Sequence, residues 1–357
     1  MNSHKKWISF ILWGLILFVA ANGLIWKLFT KDLLTFNEYY NGGLDRAGYL
    51  LGSKHYRKPE STLPRKHFEN SEYHGQHVDV LTVGDSFSNA KDNGRDPLYQ
   101  DWIASLHGLD VLNIQYLPQA GSNELLTIAL LLNSGYLDRM KPRFIIIQTV
   151  ERRIVPLYYK KLDLSLTTTI REIDEYFRSA TYLSNPPEIG FVNTGNWKFL
   201  LYNALYRFSD HAFLSDVYVR DLNAPLFSVK NERRLLFYRD DIIYIPLATE
   251  QHLRTLNDNF NALAGLLQKK GITLFFLPAP DKYNMYSDYI IDNPYPKSVF
   301  FETMRRFPKQ YVFVDTKAIL AGEIQKGEKD VYYADDTHWS WKAVKKIAEN
   351  MHFKGRI

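Results

Sequence analysis

Two short segments carry residue types that can perform nucleophilic chemistry together. The first, HVDVLTVGDSFSNA (77–90), is an alternating apolar run that stops at Gly84-Asp85-Ser86. The second, YYADDTHWSWKA (332–343), places Asp335 and Asp336 three and two residues before His338. A serine becomes a nucleophile when a base takes its proton and a third group orients that base. Ser86 is therefore the expected nucleophile and His338 its base. In an extended segment Asp336 shares a face with His338, whereas in a helical turn Asp335 does, so either carboxylate can orient the ring. Each motif also has a plain structural reading. Gly, Asp and Ser punctuate loops, and Asp, Thr or Ser caps a helix start.

Bringing these groups together requires a sheet. Residues 78–83 are a strand candidate ending at the serine, and 98–106 a helix candidate closing at Gly108. A short strand at 110–114, an apolar helix at 123–132 and the buried strand RFIIIQTV (143–150) follow. TEQHLRTLNDNFNALAGLLQKKG opens on Thr249 as a cap and closes on Gly271, with Leu253, Leu256, Phe260, Leu263 and Leu267 at helical spacing. The strand ITLFFLP (272–278), a helix around 298–306, the strand YVFVD (311–315) and a helix over 340–350 complete the alternation. The expected class is α/β, a three-layer sandwich around a mostly parallel five-stranded sheet. Ligands bind such a sheet beyond the carboxyl ends of its strands, where Ser86 falls. Residues 152–245 break the alternation and are rich in aromatics. They read as an insertion beside the sheet, expected to line the cleft above Ser86 with tyrosines or Trp197 facing the opening.

Composition narrows the chemistry. The net charge of +5 over 357 residues is too small and too scattered for nucleic acid. The absence of cysteine excludes disulfides, thiolate catalysis and cysteine-held metals. His74 and His77 lack a paired carboxylate cluster in the sequence, so no metal site is expected, and no cofactor. The uncharged run 7–26, bounded by Trp7 and Trp26, would span roughly 30 Å as a helix, the thickness of a bilayer core. Lys5 and Lys6 before it favour the amino end inside, although Lys27 and Lys31 weaken that asymmetry. A cleaved signal ending at Val19-Ala20-Ala21 is the rival reading, and the apolar stretch runs past it to Phe29. The expected organisation is a membrane anchor at 1–30, a linker at 31–75 and a catalytic domain at 76–357 that contains the insertion.

Gly84-Asp85-Ser86-Phe87 after the first strand and Asp336-Thr337-His338-Trp339 before the last helix together resemble the SGNH (GDSL-like) hydrolase superfamily. More narrowly they resemble its alginate O-acetyltransferase-like branch, the AlgJ and AlgX group related to the peptidoglycan O-acetylation protein PatB. LPAPDKYNMYSDYI (277–290) also looks like this branch. The resemblance implies acetyl transfer to a cell-surface or exported polysaccharide through an acyl-serine, outside the cytoplasm. It implies a single-pass protein of the inner membrane, with its domain periplasmic or extracellular. It also implies a multi-span membrane-bound O-acyltransferase as acetyl donor. Two departures stand out. The serine here precedes Asp-x-His, the reverse of AlgX-like chains. The superfamily's Gly-x-Asn-Asp is replaced by QTVERR (148–153). The oxyanion hole then relies on the N–H groups of Ser86 and of Gly121, which matches the family's second glycine, with Arg152 a candidate third donor. Arg152, Lys282 and Trp197 are the candidate substrate contacts. A carbohydrate acetylesterase, or a non-catalytic glycan-binding scaffold, could carry the same residues.

Overall fold

All five expected strands are present, and a sixth joins them. The computed structural model describes residues 2–34, 42–53, 63–89, 98–179 and 189–353. Parts of the expected linker (35–41, 54–62) and of the expected insertion (180–188) lie outside the described residues. Strands β1 (Phe68–Glu69), β2 (Val80–Gly84), β3 (Val111–Ile114), β4 (Phe144–Val150), β7 (Thr273–Ala279) and β8 (Val312–Phe313) form one parallel sheet in the order β1-β3-β2-β4-β7-β8. Strands β5 (Val217–Asp221) and β6 (Arg234–Tyr238) pair antiparallel in a separate hairpin inside the insertion.

The central strands are buried on both faces, and alternate residues feed two cores. Leu81, Val83, Ile145, Ile147, Leu274 and Phe276 face one cluster. Helices α5 (Glu124–Asn133) and α8 (Glu250–Gln268) pack there. Val80, Phe144, Ile146, Phe275 and Leu277 face the other, against α4 (Tyr99–His107), α10 (Thr316–Gln325) and α11 (Trp341–Asn350). A parallel sheet needs helices on both faces because both of its faces are apolar, and the result is a three-layer sandwich. The helix ends follow local chemistry. The Asn123 and Thr249 side chains accept the N–H groups of Leu126 and His252, and Gly108 closes α4 at φ +67°.

The chain runs outward from β2 to β3 and then returns to β4. The crevice for a ligand therefore opens at the carboxyl ends of β2 and β4. From these ends start α3 (Ser86–Asn89) and α6 (Glu151–Tyr158), the latter falling where the insertion was expected to begin.

The amino-terminal helix α1 (Asn2–Ile25) continues through a π turn at Trp26–Thr30 to Leu34. Over His4–Leu34 it is long and apolar enough to cross a membrane, with mean hydropathy 2.3 in its most apolar window. Residues 42–53, expected as linker, form the short helix α2 (Gly43–Gly48) and pack into the molecule. Leu44 and Leu50 are buried against Val217 of β5 and Leu236 of β6.

Candidate active site

Ser86 opens α3 directly after β2, so its N–H has no partner within the helix and points to the carboxyl edge of the sheet. The turn is held tightly. Asp85 Oδ1 accepts the Phe87 N–H (2.9 Å) and Oδ2 accepts the Val150 N–H (2.7 Å), which ties the turn to the end of β4. The Ser88 hydroxyl donates to Gln148 Oε1 (2.7 Å). A Cβ on Gly84 would lie 2.6 Å from that same oxygen, so only glycine allows the turn to close this near to β4. Gln148, at the position where the superfamily motif would begin, supports the serine helix.

The structure brings His338 to Ser86 across 252 residues. His338 Nε2 lies 2.9 Å from the exposed Ser86 Oγ, and Nδ1 lies 2.6 Å from Asp336 Oδ1. A carboxylate only accepts, so Nδ1–H donates to Asp336 and Nε2 is left to accept from serine. Asp336 Oδ1 also accepts the His338 backbone N–H (3.0 Å), and the Phe87 ring braces the imidazole with centroids 4.7 Å apart. Of the two alternatives, Asp336 is the carboxylate that meets the imidazole. Asp335 is buried as well, and its Oδ2 accepts the Gly42 N–H at 3.0 Å.

The segment 42–53 grips this loop, which no sequence pattern signalled. Gly43 N–H donates to Asp336 Oδ2 (2.7 Å), and the N–H groups of Leu44 and Asp45 donate to the Asp335 carbonyl (3.0 and 3.2 Å). Beneath it lies Lys282, expected to contact substrate. The structure corrects that expectation, because Lys282 is fully buried and donates to the carbonyls of Tyr333 (2.7 Å), Ala334 (2.9 Å) and Asp336 (2.9 Å). Burial pushes its ammonium down to about 8, against the opposing pull of Asp335, Asp336, Asp45 and Asp241.

Three further expectations are corrected. Arg152 is enclosed, with its side chain 13% exposed and paired to Asp281 (2.8 Å) and Asp241 (3.2 Å), so it reaches neither substrate nor oxyanion. Gly121 sits at φ +61° on the exposed end of a 3₁₀ turn, where its N–H donates to the Pro118 carbonyl (3.1 Å). In this geometry it is not free to meet an oxyanion. Trp197 stacks on Phe18 of α1 (centroids 6.0 Å, interplanar angle 19°), so its ring is engaged by the amino-terminal helix.

The half-exposed cation beside the serine turn is the neighbouring residue, Arg153. It lies 3.8 Å from Asp85 Oδ2 and donates to the Tyr116 hydroxyl and the Ser122 carbonyl, both at 3.0 Å. Tyr116 donates in turn to the buried Glu124 (3.0 Å), whose carboxyl burial pushes up to about 7. At the opposite edge of the sheet His77 does have carboxylate neighbours. It lies 3.2 Å from Asp79, with Asp110 alongside. Arg65 and Arg143 already pair with these two carboxylates, at 2.5 and 3.6 Å.

Lys282 gives a measurable pH signature. Below pH 8 three ammonium hydrogens serve three carbonyls, and above it the neutral amine has only two. Turnover is expected to fall as pH rises through about 8. Between pH 8 and 10.5 the folded protein binds fewer protons at this site than the unfolded chain. The contribution of Lys282 to stability therefore rises over the window in which turnover falls. In Lys282→Met the alkaline limb should vanish at a lower plateau. The difference in melting temperature between wild type and variant should then grow in favour of wild type from pH 8 to 10.5.

Residues 229–351 match the family described as SGNH hydrolase-like domain, acetyltransferase AlgX. The matched stretch contains Lys282, Asp335, Asp336 and His338, and Ser86 lies outside it. Searches of curated proteins and of solved structures gave no match.

Proposed function

Taking the SGNH hydrolase-like domain of the AlgX branch over residues 229–351 as the premise, we propose that the protein is a membrane-anchored O-acyltransferase. In this reading it moves an acetyl group from a membrane-borne donor to a polysaccharide outside the cytoplasm. The observation that carries the reading is the relay from Asp336 to His338 to Ser86, with links of 2.6 and 2.9 Å. Ser86 Oγ attacks the acyl carbonyl while His338 Nε2 takes its proton. The Asp336 carboxylate stabilises the imidazolium, and the Ser86 N–H at the start of α3 meets the oxyanion. Collapse expels the donor alkoxide, which recovers the proton from His338 and leaves acyl-Ser86. A sugar hydroxyl then repeats the sequence in reverse and carries the acyl group away. Arg153 is the nearby cation suited to an acidic sugar or to the donor.

The test uses the full-length protein in detergent or vesicles with an activated acetyl ester and an oligosaccharide acceptor. Mass spectrometry should find acetyl on Ser86 and on the sugar, and neither in Ser86→Ala. Ester hydrolysis with no sugar product over a range of acceptors would identify an esterase instead. Absence of acyl-Ser86 under all conditions would leave a non-catalytic scaffold.

A further inference from the structure

The apolar exterior of the protein does not end with α1. Helix α7 (Thr194–Leu205), within the insertion, lies against the carboxyl end of that helix and its continuation. Trp197 stacks on Phe18, and Phe199 stacks on Phe29 (centroids 5.0 Å, interplanar angle 18°). Between these stacks the amide of Asn196 donates to Asn22 Oδ1 (3.0 Å) and accepts from the Thr30 hydroxyl, and all three side chains are buried. Polar groups that satisfy one another within the protein are what a helix contact surrounded by hydrocarbon requires.

The outer face of α7 is apolar and largely exposed. Trp197, Leu200 and Leu201 lie on it at helical spacing with 42, 43 and 54% of their surface exposed, and Phe208, in the turn just past the helix, is 88% exposed. Phe213 and Leu214, in the loop that follows, are 73 and 79% exposed. Soluble surfaces carry such residues singly, whereas a contiguous patch marks an interface. The exposed Lys198 and Arg207 flank the row, as basic residues flank helices that lie in a bilayer surface.

Depth decides between lipid and water. The uncharged run 7–26 matches the thickness of a bilayer core, and Phe18 lies eight residues inside its outer end, roughly 12 Å at helical rise. A helix stacked on Phe18 and bonded to Asn22 therefore sits at least partly below the interface. We propose that α7 and the loop through Leu214 are a second membrane element, an interfacial helix whose outer face is covered by lipid. This rests on reading α1 as a membrane span.

The chain has no cysteine, so single labelling sites can be introduced without background. The experiment is spin labelling of full-length Leu17→Cys, Leu201→Cys, Phe213→Cys and Lys269→Cys, reconstituted in phosphatidylcholine–phosphatidylglycerol vesicles. Accessibility to oxygen and to a water-soluble nickel complex is then read at each site. All four side chains are exposed in the protein, so the label displaces no packing. Labels at 201 and 213 should lose access to the nickel complex and gain access to oxygen, as the label at 17 does, while 269 remains in water. If 17 is immersed but 201 and 213 are in water, the span stands, the interfacial helix is wrong, and its face is left for a protein partner. If 17 is itself in water, the membrane reading fails and this inference fails with it.

Discussion

Asp336→Asn should lower turnover on the order of 10⁴-fold, with Asp335→Asn within about tenfold of wild type. Both carboxylates are buried in one loop, and the difference lies in what each one holds. Asp336 Oδ1 takes two N–H groups of His338 at 2.6 and 3.0 Å, which fixes the tautomer with Nε2 facing Ser86. An amide in that place can present its NH₂ to Nδ1. The imidazole then carries its hydrogen on Nε2 and cannot take the serine proton. Asp335 holds the Gly42 N–H and not the ring. Its replacement weakens the charge-assisted hydrogen bond from Gly42, of a kind worth about 1.5–3 kcal/mol, and the effect should appear mainly in the melting temperature. Measuring kcat and Tm of both variants separates the two effects. A larger loss of kcat in Asp335→Asn would refute the assignment.

The second large effect is expected from removing residues 1–53, even with a soluble substrate that needs no membrane. The truncation takes away the N–H groups of Gly42, Gly43, Leu44 and Asp45 that hold Asp335 and Asp336, together with the buried Leu44 and Leu50. A catalytic group displaced by about 1 Å can cost on the order of 10² in rate, and a loss at least that large should follow. Gly43→Pro is the finer probe. Gly43 is the first residue of α2, where proline is tolerated, and Gly42 is extended as proline requires of its predecessor. The variant keeps the segment and replaces the N–H that meets Asp336 Oδ2 at 2.7 Å by a ring carbon, which removes the bond and displaces the carboxylate. Its kcat should fall about 10- to 100-fold, in line with a lost charge-assisted hydrogen bond. Unchanged turnover in both proteins would show that the segment only packs against the site.

These two results bear on what a sequence can reveal. The relay is legible because its parts are local: a serine at the end of an apolar strand, and a carboxylate two residues from a histidine. The sheet is legible because β4 and β7, each seven residues long, carry the consecutive apolar stretches Phe144–Ile147 and Leu274–Ala279. The grip of Gly43 on Asp336 spans 293 residues and leaves no local pattern. Lys282 follows a strand, which by sequence puts it at the substrate edge, but the 333–336 loop folds over it and turns its charge inward. Arg152 and Arg153 are adjacent in the chain and opposite in fate, since one meets two buried aspartates and the other a half-exposed tyrosine. Sequence alone does not place Trp197, because an aromatic ring suits sugar, lipid or a helix partner equally. Strand β1 has two residues, too few to display a period.

The spacing of Leu34 and Gly42 also limits where the chemistry can take place. The two are eight positions apart in the chain and so at most about 28 Å from each other, which keeps Asp336, held by the Gly43 N–H, close to the end of the amino-terminal helix. If α1 spans a membrane as proposed, an enzyme on such a short leash would not patrol a volume but work a thin layer over the lipid. A donor held in the same bilayer would find it by lateral diffusion, in two dimensions, without releasing its acyl group to water. A polymer would be modified only while it passes through that layer. The spacing of its acetyl groups would then record how fast the chain was extruded past the enzyme.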